Sequence, residues 1–185
     1  MLINICYFIL DGMLMTTEAG AYKMATFSDE HMNRLFEKFV LEYYRVHHKE
    51  LAASPDHIQW NITDPDDAVI DFLPSMKTDI TLHKGDRTLI IDTKYYGRMM
   101  QEQFDKQTIH SGNLYQVFTY IKNLDKCNTG LVSGMLLYAK TQESIAPDLD
   151  AHFGPNRIMV RTLDLNQEFD GIRKQLDGFA ETIEQ

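Results

Sequence analysis

Two cysteines in 185 residues, Cys6 and Cys127, cannot make a disulfide scaffold, and they lack the spacing of a metal-binding pair. That usage suits a reducing, cytoplasmic compartment. Cations are scarce as well: 18 Lys and Arg stand against 27 Asp and Glu, a formal net charge of −9. Non-specific DNA binding needs Lys and Arg to displace counterions, so this excess of acid argues against an autonomous DNA binder. Any nucleic-acid role has to rest on a local basic patch, a metal ion, or a partner that holds the substrate. No apolar run is long enough to span a bilayer: the greasiest, Ile5 to Leu10, is too short. It also lacks the basic lead and small-residue cleavage site of a signal peptide. The seven histidines are scattered, and adjacent His47 and His48 point in different directions on a helix, which disfavours zinc. Internal repeats and low-complexity tracts are missing too.

What remains is an ordinary globular composition, 44% hydrophobic and 24% charged, of a size for one domain with a real core. Residues 1–27 read as an N-terminal helix packing on the core or the remnant of a preceding segment. Glu30 to Glu50 reads as the strongest helix: Phe36, Phe39, Val40, Tyr43 and His47 form one stripe, with Ser28 and Asp29 as caps. Pro55 to Asp67 reads as mostly loop, and Ala68 to Leu73 as a short strand ended by Pro74. Strands are expected near Met76 to His83 and Arg87 to Tyr95, then a polar loop from Gly97 to Gln107. A helix over Thr108 to Leu124, strands over Leu131 to Ala139 and Arg157 to Leu163, and a helix over Asn166 to Ile183 complete the chain. This order predicts an α/β fold with a mixed β-sheet flanked by α-helices.

The stretch SMKTDITLHKGDRTLIIDTKYYG holds a conflict. Asp79, Asp92 and Lys94 sit inside apolar strands, where charge is expensive. A two-residue turn at Gly85-Asp86, of the type that favours Gly first, pairs Lys84 with Arg87, Leu82 with Leu89 and Ile80 with Ile91. Extending the ladder sets Asp79 opposite Asp92 on one face, and Lys94 shares it. Opposed like charges destabilise a strand pair by a few tenths to about 1 kcal/mol, and more when desolvated. A divalent cation resolves the conflict, and Mg²⁺ prefers such hard oxygen ligands. The ion activates water and stabilises a phosphate oxygen, while Lys94 orients the water and neutralises developing charge. The alternative is a solvated sheet face on which Lys94 is a surface ion-pair partner.

Glu37, in LFEKFV, lies at the border of the apolar helix stripe and is a candidate third acid. Its plainer reading is a half-exposed Glu paired with a nearby Lys. Glu42 points elsewhere. In NLYQVFTYIKNL, Leu114, Val117, Phe118 and Ile121 form the apolar face, and Gln116 and Tyr120 are an i, i+4 pair on the other side. They line the same cleft or simply face solvent.

Taken together, these residues resemble a PD-(D/E)xK nuclease, with the Gln116 to Tyr120 spacing of its RecB-like branch. MNRLFEKFV, LPSMKTDITL, LIIDTKYY and NLYQVFTYI, in that order, resemble the C-terminal nuclease half of the McrC family, the cleavage subunit of modified-cytosine-dependent McrBC restriction. The likeness covers roughly Ile3 to the C-terminus. It implies a restriction-endonuclease-like core over 28–185 and a Mg²⁺-dependent DNA endonuclease, with Mn²⁺ as substitute. Asp79, Asp92, Glu37 and the carbonyl of Thr93 would be metal ligands, Lys94 the catalytic lysine, and Gln116 and Tyr120 the later helix motif. Thr78 stands where the superfamily motif has proline. Little or none of the family's N-terminal half, which docks on the McrB GTPase motor, is present, and no GxxxxGK(S/T) phosphate loop occurs. The motor is therefore an expected partner, DNA binding by the chain alone is expected to be weak, and no membrane association is expected. A non-catalytic assembly module is the competing expectation, and a small-phosphoester hydrolase a third.

Overall fold

The computed structural model describes residues 29–64, 66–95, 100–103, 106–140 and 147–184. The expected N-terminal segment 1–27 and the cap at Ser28 lie outside them. The chain runs through α1 (Asp29–His47), a 3₁₀ turn (Lys49–Leu51), β1 (His57–Ile58), α2 (Asp67–Phe72), β2 (Met76–Lys77), β3 (Ile80–Lys84) and β4 (Arg87–Lys94). Then follow β5 (Met100–Gln103), β6 (Lys106–Ile109), α3 (Ser111–Leu124), β7 (Val132–Ala139), β8 (Leu149–Phe153), β9 (Asn156–Leu163), α4 (Phe169–Glu181) and a final 3₁₀ turn (Thr182–Glu184).

A five-stranded sheet in the order β3-β4-β7-β9-β8 organises these elements. Strands β4, β7 and β9 run parallel, and β3 and β8 close the two edges antiparallel. Both faces of the middle strands are covered, so β4 and β7 read as continuous apolar runs rather than alternating ones. Leu89, Ile91, Met135, Leu137 and Met159 point to one side, under α1 and α4. Ile90, Leu136, Tyr138, Ile158 and Val160 point to the other, under α3. This is the mixed, helix-flanked α/β architecture expected from the sequence, with the layers of a restriction-endonuclease-like core.

The long first helix buries Phe36, Val40, Leu41, Tyr43 and Tyr44, while His47, at the end of the expected stripe, is exposed. Tyr43 and His48 both reach Asp177, the latter at 2.7 Å, and the Tyr44 hydroxyl donates to the Leu176 carbonyl at 3.0 Å. These bonds tie α1 to α4 across one side of the sheet.

On the other side, α3 approaches β7 closely because residue 134 is Gly. A Cβ there would lie 2.7 Å from Ile121 Cδ1 and would also strike Val117. Gly134→Ala therefore forces α3 outward, and the expected cost is about 1–3 kcal/mol in chemical denaturation.

Three expectations change. Ala68 to Leu73 belongs to helix α2, not a strand: Asp66 caps it by accepting from Ala68 N–H at 3.3 Å, and no sheet edge is offered to Val69, Ile70 or Phe72, which stay exposed. A short apolar run cannot by itself distinguish the two states. The stretch 97–107 is not simply a loop, because β5 and β6 pair antiparallel from Met100↔Ile109 to Gln103↔Lys106. Edge strand β8 was not anticipated; its sequence LDAHF is held to β9 by Arg157 and Arg161, both on Asp150.

Between β1 and β2 the chain makes an excursion whose two ends meet. The strands pair through His57↔Lys77 and Ile58↔Met76, and Trp60 Nε1 donates to the Pro74 carbonyl at 2.8 Å. Its base is pinned to α3 by the Asn61 N–H on Asn123 Oδ1 at 2.7 Å.

Candidate active site

The turn at Gly85-Asp86 forms as the pairing arithmetic requires. Gly85 has φ +61°, a left-handed value that Gly adopts freely, and the ladder runs from Lys84↔Arg87 to Ile80↔Ile91. It stops there, one pair short of the expected Asp79–Asp92 opposition. Residues 76–77 have left β4 to pair with β1, and Asp79 sits in a bend. In a continued ladder the Thr93 N–H would meet the Thr78 carbonyl. Instead the Asp79 carboxylate takes that place: Oδ2 accepts from the Thr93 N–H at 2.7 Å and from the Thr93 hydroxyl at 2.9 Å. The aspartates are neighbours at the point where β3 and β4 part, rather than rungs of one ladder.

Strand parity places Asp92 beside Ile90 on the α3 side, fully buried. The Lys94 ammonium lies 2.6 Å from Asp92 Oδ2, yet neither carboxylate oxygen accepts a well-formed hydrogen bond. Burial pushes the Asp92 carboxyl up to about 7; Lys94 pulls it down, and Asp79 and then Glu37 push it up. Glu37 reaches the same place from α1. It is half-buried, and burial first, then Asp79, raise its carboxyl above the ordinary range. One helical turn earlier Asn33 Oδ1 accepts the Tyr95 N–H at 2.6 Å, locking α1 to the end of β4 so that Glu37 faces the aspartates.

From the opposite side of the sheet comes a polar relay. Lys94 Nζ donates to Gln116 Oε1 at 3.4 Å, Gln116 Nε2 donates to the Tyr120 hydroxyl at 2.8 Å, and that hydroxyl donates to the Lys77 carbonyl at 3.0 Å. The phenol spends its only proton on Lys77, so it must accept from the Gln116 amide. This turns the amide oxygen towards Lys94. Gln116 and Tyr120 therefore line the site, and the solvated-face alternative fails for Tyr120, which is buried among Val117 and Ile121. Phe118, expected on the apolar face, is instead partly exposed.

The structure thus brings Glu37, Asp79, Asp92, Thr93, Lys94, Gln116 and Tyr120 to one end of the β3–β4 pair. It does not gather the acids into a finished cage: among the described residues, no set of three His, Cys, Asp or Glu side chains is arranged to hold a metal ion. One oxygen of Asp79 is committed to Thr93 and one of Asp92 to Lys94. The donor chemistry nonetheless suits a hard divalent cation, since the acids offer only oxygen and, among the described residues, the buried Asp92 oxygens have no donor beside them other than the Lys94 ammonium. Sequence reasoning missed Asn33 and the holding role of the Thr93 hydroxyl. The signal for Asn33 was its i−4 spacing from Glu37.

A mixed sheet carrying D…DxK at the parting of an antiparallel pair, with an acid from the preceding helix, defines the restriction-endonuclease-like class. Within that class the chain belongs to the McrBC 5-methylcytosine restriction system component family, whose model matches residues 1–139. A curated relative, the type IV methyl-directed restriction enzyme EcoKMcrBC of Escherichia coli (strain K12), is 27% identical over 184 residues. These make up 98% of this chain and 52% of the relative, so the chain spans about half the length of the curated relative it matches. No helix among the described residues is long and apolar enough to cross a membrane.

Proposed function

We propose that this chain is a Mg²⁺-dependent endodeoxyribonuclease, the cleaving part of a cytoplasmic restriction system that acts on DNA carrying modified cytosine. The observation that carries this reading is Asp92, an acid fully buried with one lysine as its sole donor among the described residues and with two more acids beside it. A fold gains nothing in stability from such a group.

Asp79, Asp92, Glu37 and the Thr93 carbonyl would hold the ion, with Mn²⁺ able to replace it. When bound, Mg²⁺ supplies a Lewis acid for the phosphate and a more acidic water. Lys94 orients the attacking water and sets positive charge beside the phosphate. Gln116 holds the lysine in place, and Tyr120 fixes the Gln116 amide. Recognition and movement of the modified DNA fall to a GTPase partner of McrB type, which agrees with the net charge of −9 and with weak DNA binding by this chain alone.

The Lys94–Asp92 and Thr93–Asp79 contacts favour a second reading, a non-catalytic assembly module whose acids are already satisfied. A metal titration of the thermal melt separates the two. For the nuclease, Mg²⁺ or Mn²⁺ at a hundredfold excess over Kd raises Tm by about 5–10 °C, and Asp79→Asn abolishes the rise. A melt that ignores both metals would leave the assembly reading standing.

A further inference from the structure

Many cations of this acidic chain are neutralised by neighbours: Lys84 by Glu184, Lys140 by Asp164, Arg157 and Arg161 by Asp150. Arg34 and Lys77 are not. Both are exposed, and neither has a carboxylate within ion-pair distance among the described residues. Their positions are specific. Arg34 lies on α1 three residues before Glu37, on the same side of the helix. Lys77 ends β2, two residues before Asp79, and its carbonyl is the one that anchors Tyr120. Two elements from different parts of the chain thus each bring one uncommitted cation to the rim of one acid cluster.

Cations left unpaired beside carboxylates suit an anion that arrives from outside. The acids and Lys94 account for the scissile group in the proposed reaction, but a DNA strand brings phosphates on either side of it. We infer that Arg34 and Lys77 form a two-point seat for a phosphodiester next to the scissile one. This rests on the nuclease reading for the position of the strand. The seat supplies the local basic patch that a chain of net charge −9 needs to approach DNA. The Arg34 fork can take two phosphate oxygens, and Lys77 adds a point charge.

The test is fluorescence anisotropy of a short labelled DNA duplex with the 185-residue chain in EDTA, over a series of salt concentrations. EDTA prevents Mg²⁺-dependent cleavage, so binding is read apart from it. Each phosphate contact contributes about 0.9 to the slope of log K against log salt. Arg34→Gln and Lys77→Gln together should lower the slope by about that amount, because the two hold one phosphate, and each alone by a part of it. Arg34→Lys should retain the slope. Lys49→Gln and Lys174→Gln, which remove exposed cations elsewhere, should leave it unchanged. Matching thermal melts establish that the variants fold. An unchanged slope in the Arg34→Gln, Lys77→Gln double variant would overturn the seat, and so would a wild-type chain with no salt-dependent affinity. Failure of the nuclease reading shows elsewhere, as cleavage that survives Lys94→Ala in Mg²⁺.

Discussion

Asp92→Asn should make the chain more stable and end DNA cleavage in the same step. The native carboxyl is pushed up to about 7, chiefly by burial, against about 3.9 in an unfolded chain. An acid with a raised folded value binds its proton more tightly when folded, so its contribution is fully present below about pH 4. That contribution is lost as the pH climbs to about 7, and above that Asp92 is a constant burden. The shift corresponds to a few kcal/mol, on the order of 1.4 per unit. In EDTA at pH 8 the Asn variant should melt several degrees above the wild type, and the gap should close at pH 4. Cleavage in Mg²⁺ should be absent at both. A lower melt at pH 8 would mean that Asp92 serves the fold, and the proposed metal role would lose its main support.

Lys94→Met should do the opposite to stability while also ending cleavage. The ammonium is the cation on a carboxylate that has no other donor. Removing one partner of a buried pair typically costs about 3–5 kcal/mol, because the other charge is left uncompensated. Asp92 escapes part of that cost by keeping its proton, so the loss should be largest at pH 8 and small near pH 5. Denaturant titrations at both pH values check this. Equal losses at the two would show that the lysine stem, rather than its charge, is what the fold uses. With Asp92→Asn as background, Lys94→Met should cost much less, since the charge it left behind is gone.

The hairpin was legible because its rules are local. Gly85 can take a positive φ, a two-residue turn fixes the pairing, and parity then carries Asp92 and Lys94 to one side. What the ladder could not say was where it ends. The departure of residues 76–77 to pair with β1 depends on Asp56 and His57, some twenty residues upstream, and no pattern inside the hairpin reports it. The same limit explains α2. Its apolar residues look like a strand, but a strand needs a partner edge, and that is a property of the whole sheet. The core helices were easier, since their stripes are long. Tyr120 was harder: its ring packs in the core while its hydroxyl serves the relay, and spacing alone shows only one of those halves.

The excursion between β1 and β2 begins and ends at the same place, so whatever it contains leaves the strands that carry the acids where they are. Closing a longer version costs little extra entropy. Residues 62–73 are accordingly a stretch where a reporter could be spliced in without disturbing the chemistry nearby. Phe72, 89% exposed at its far end, is the side chain such an insertion would replace first.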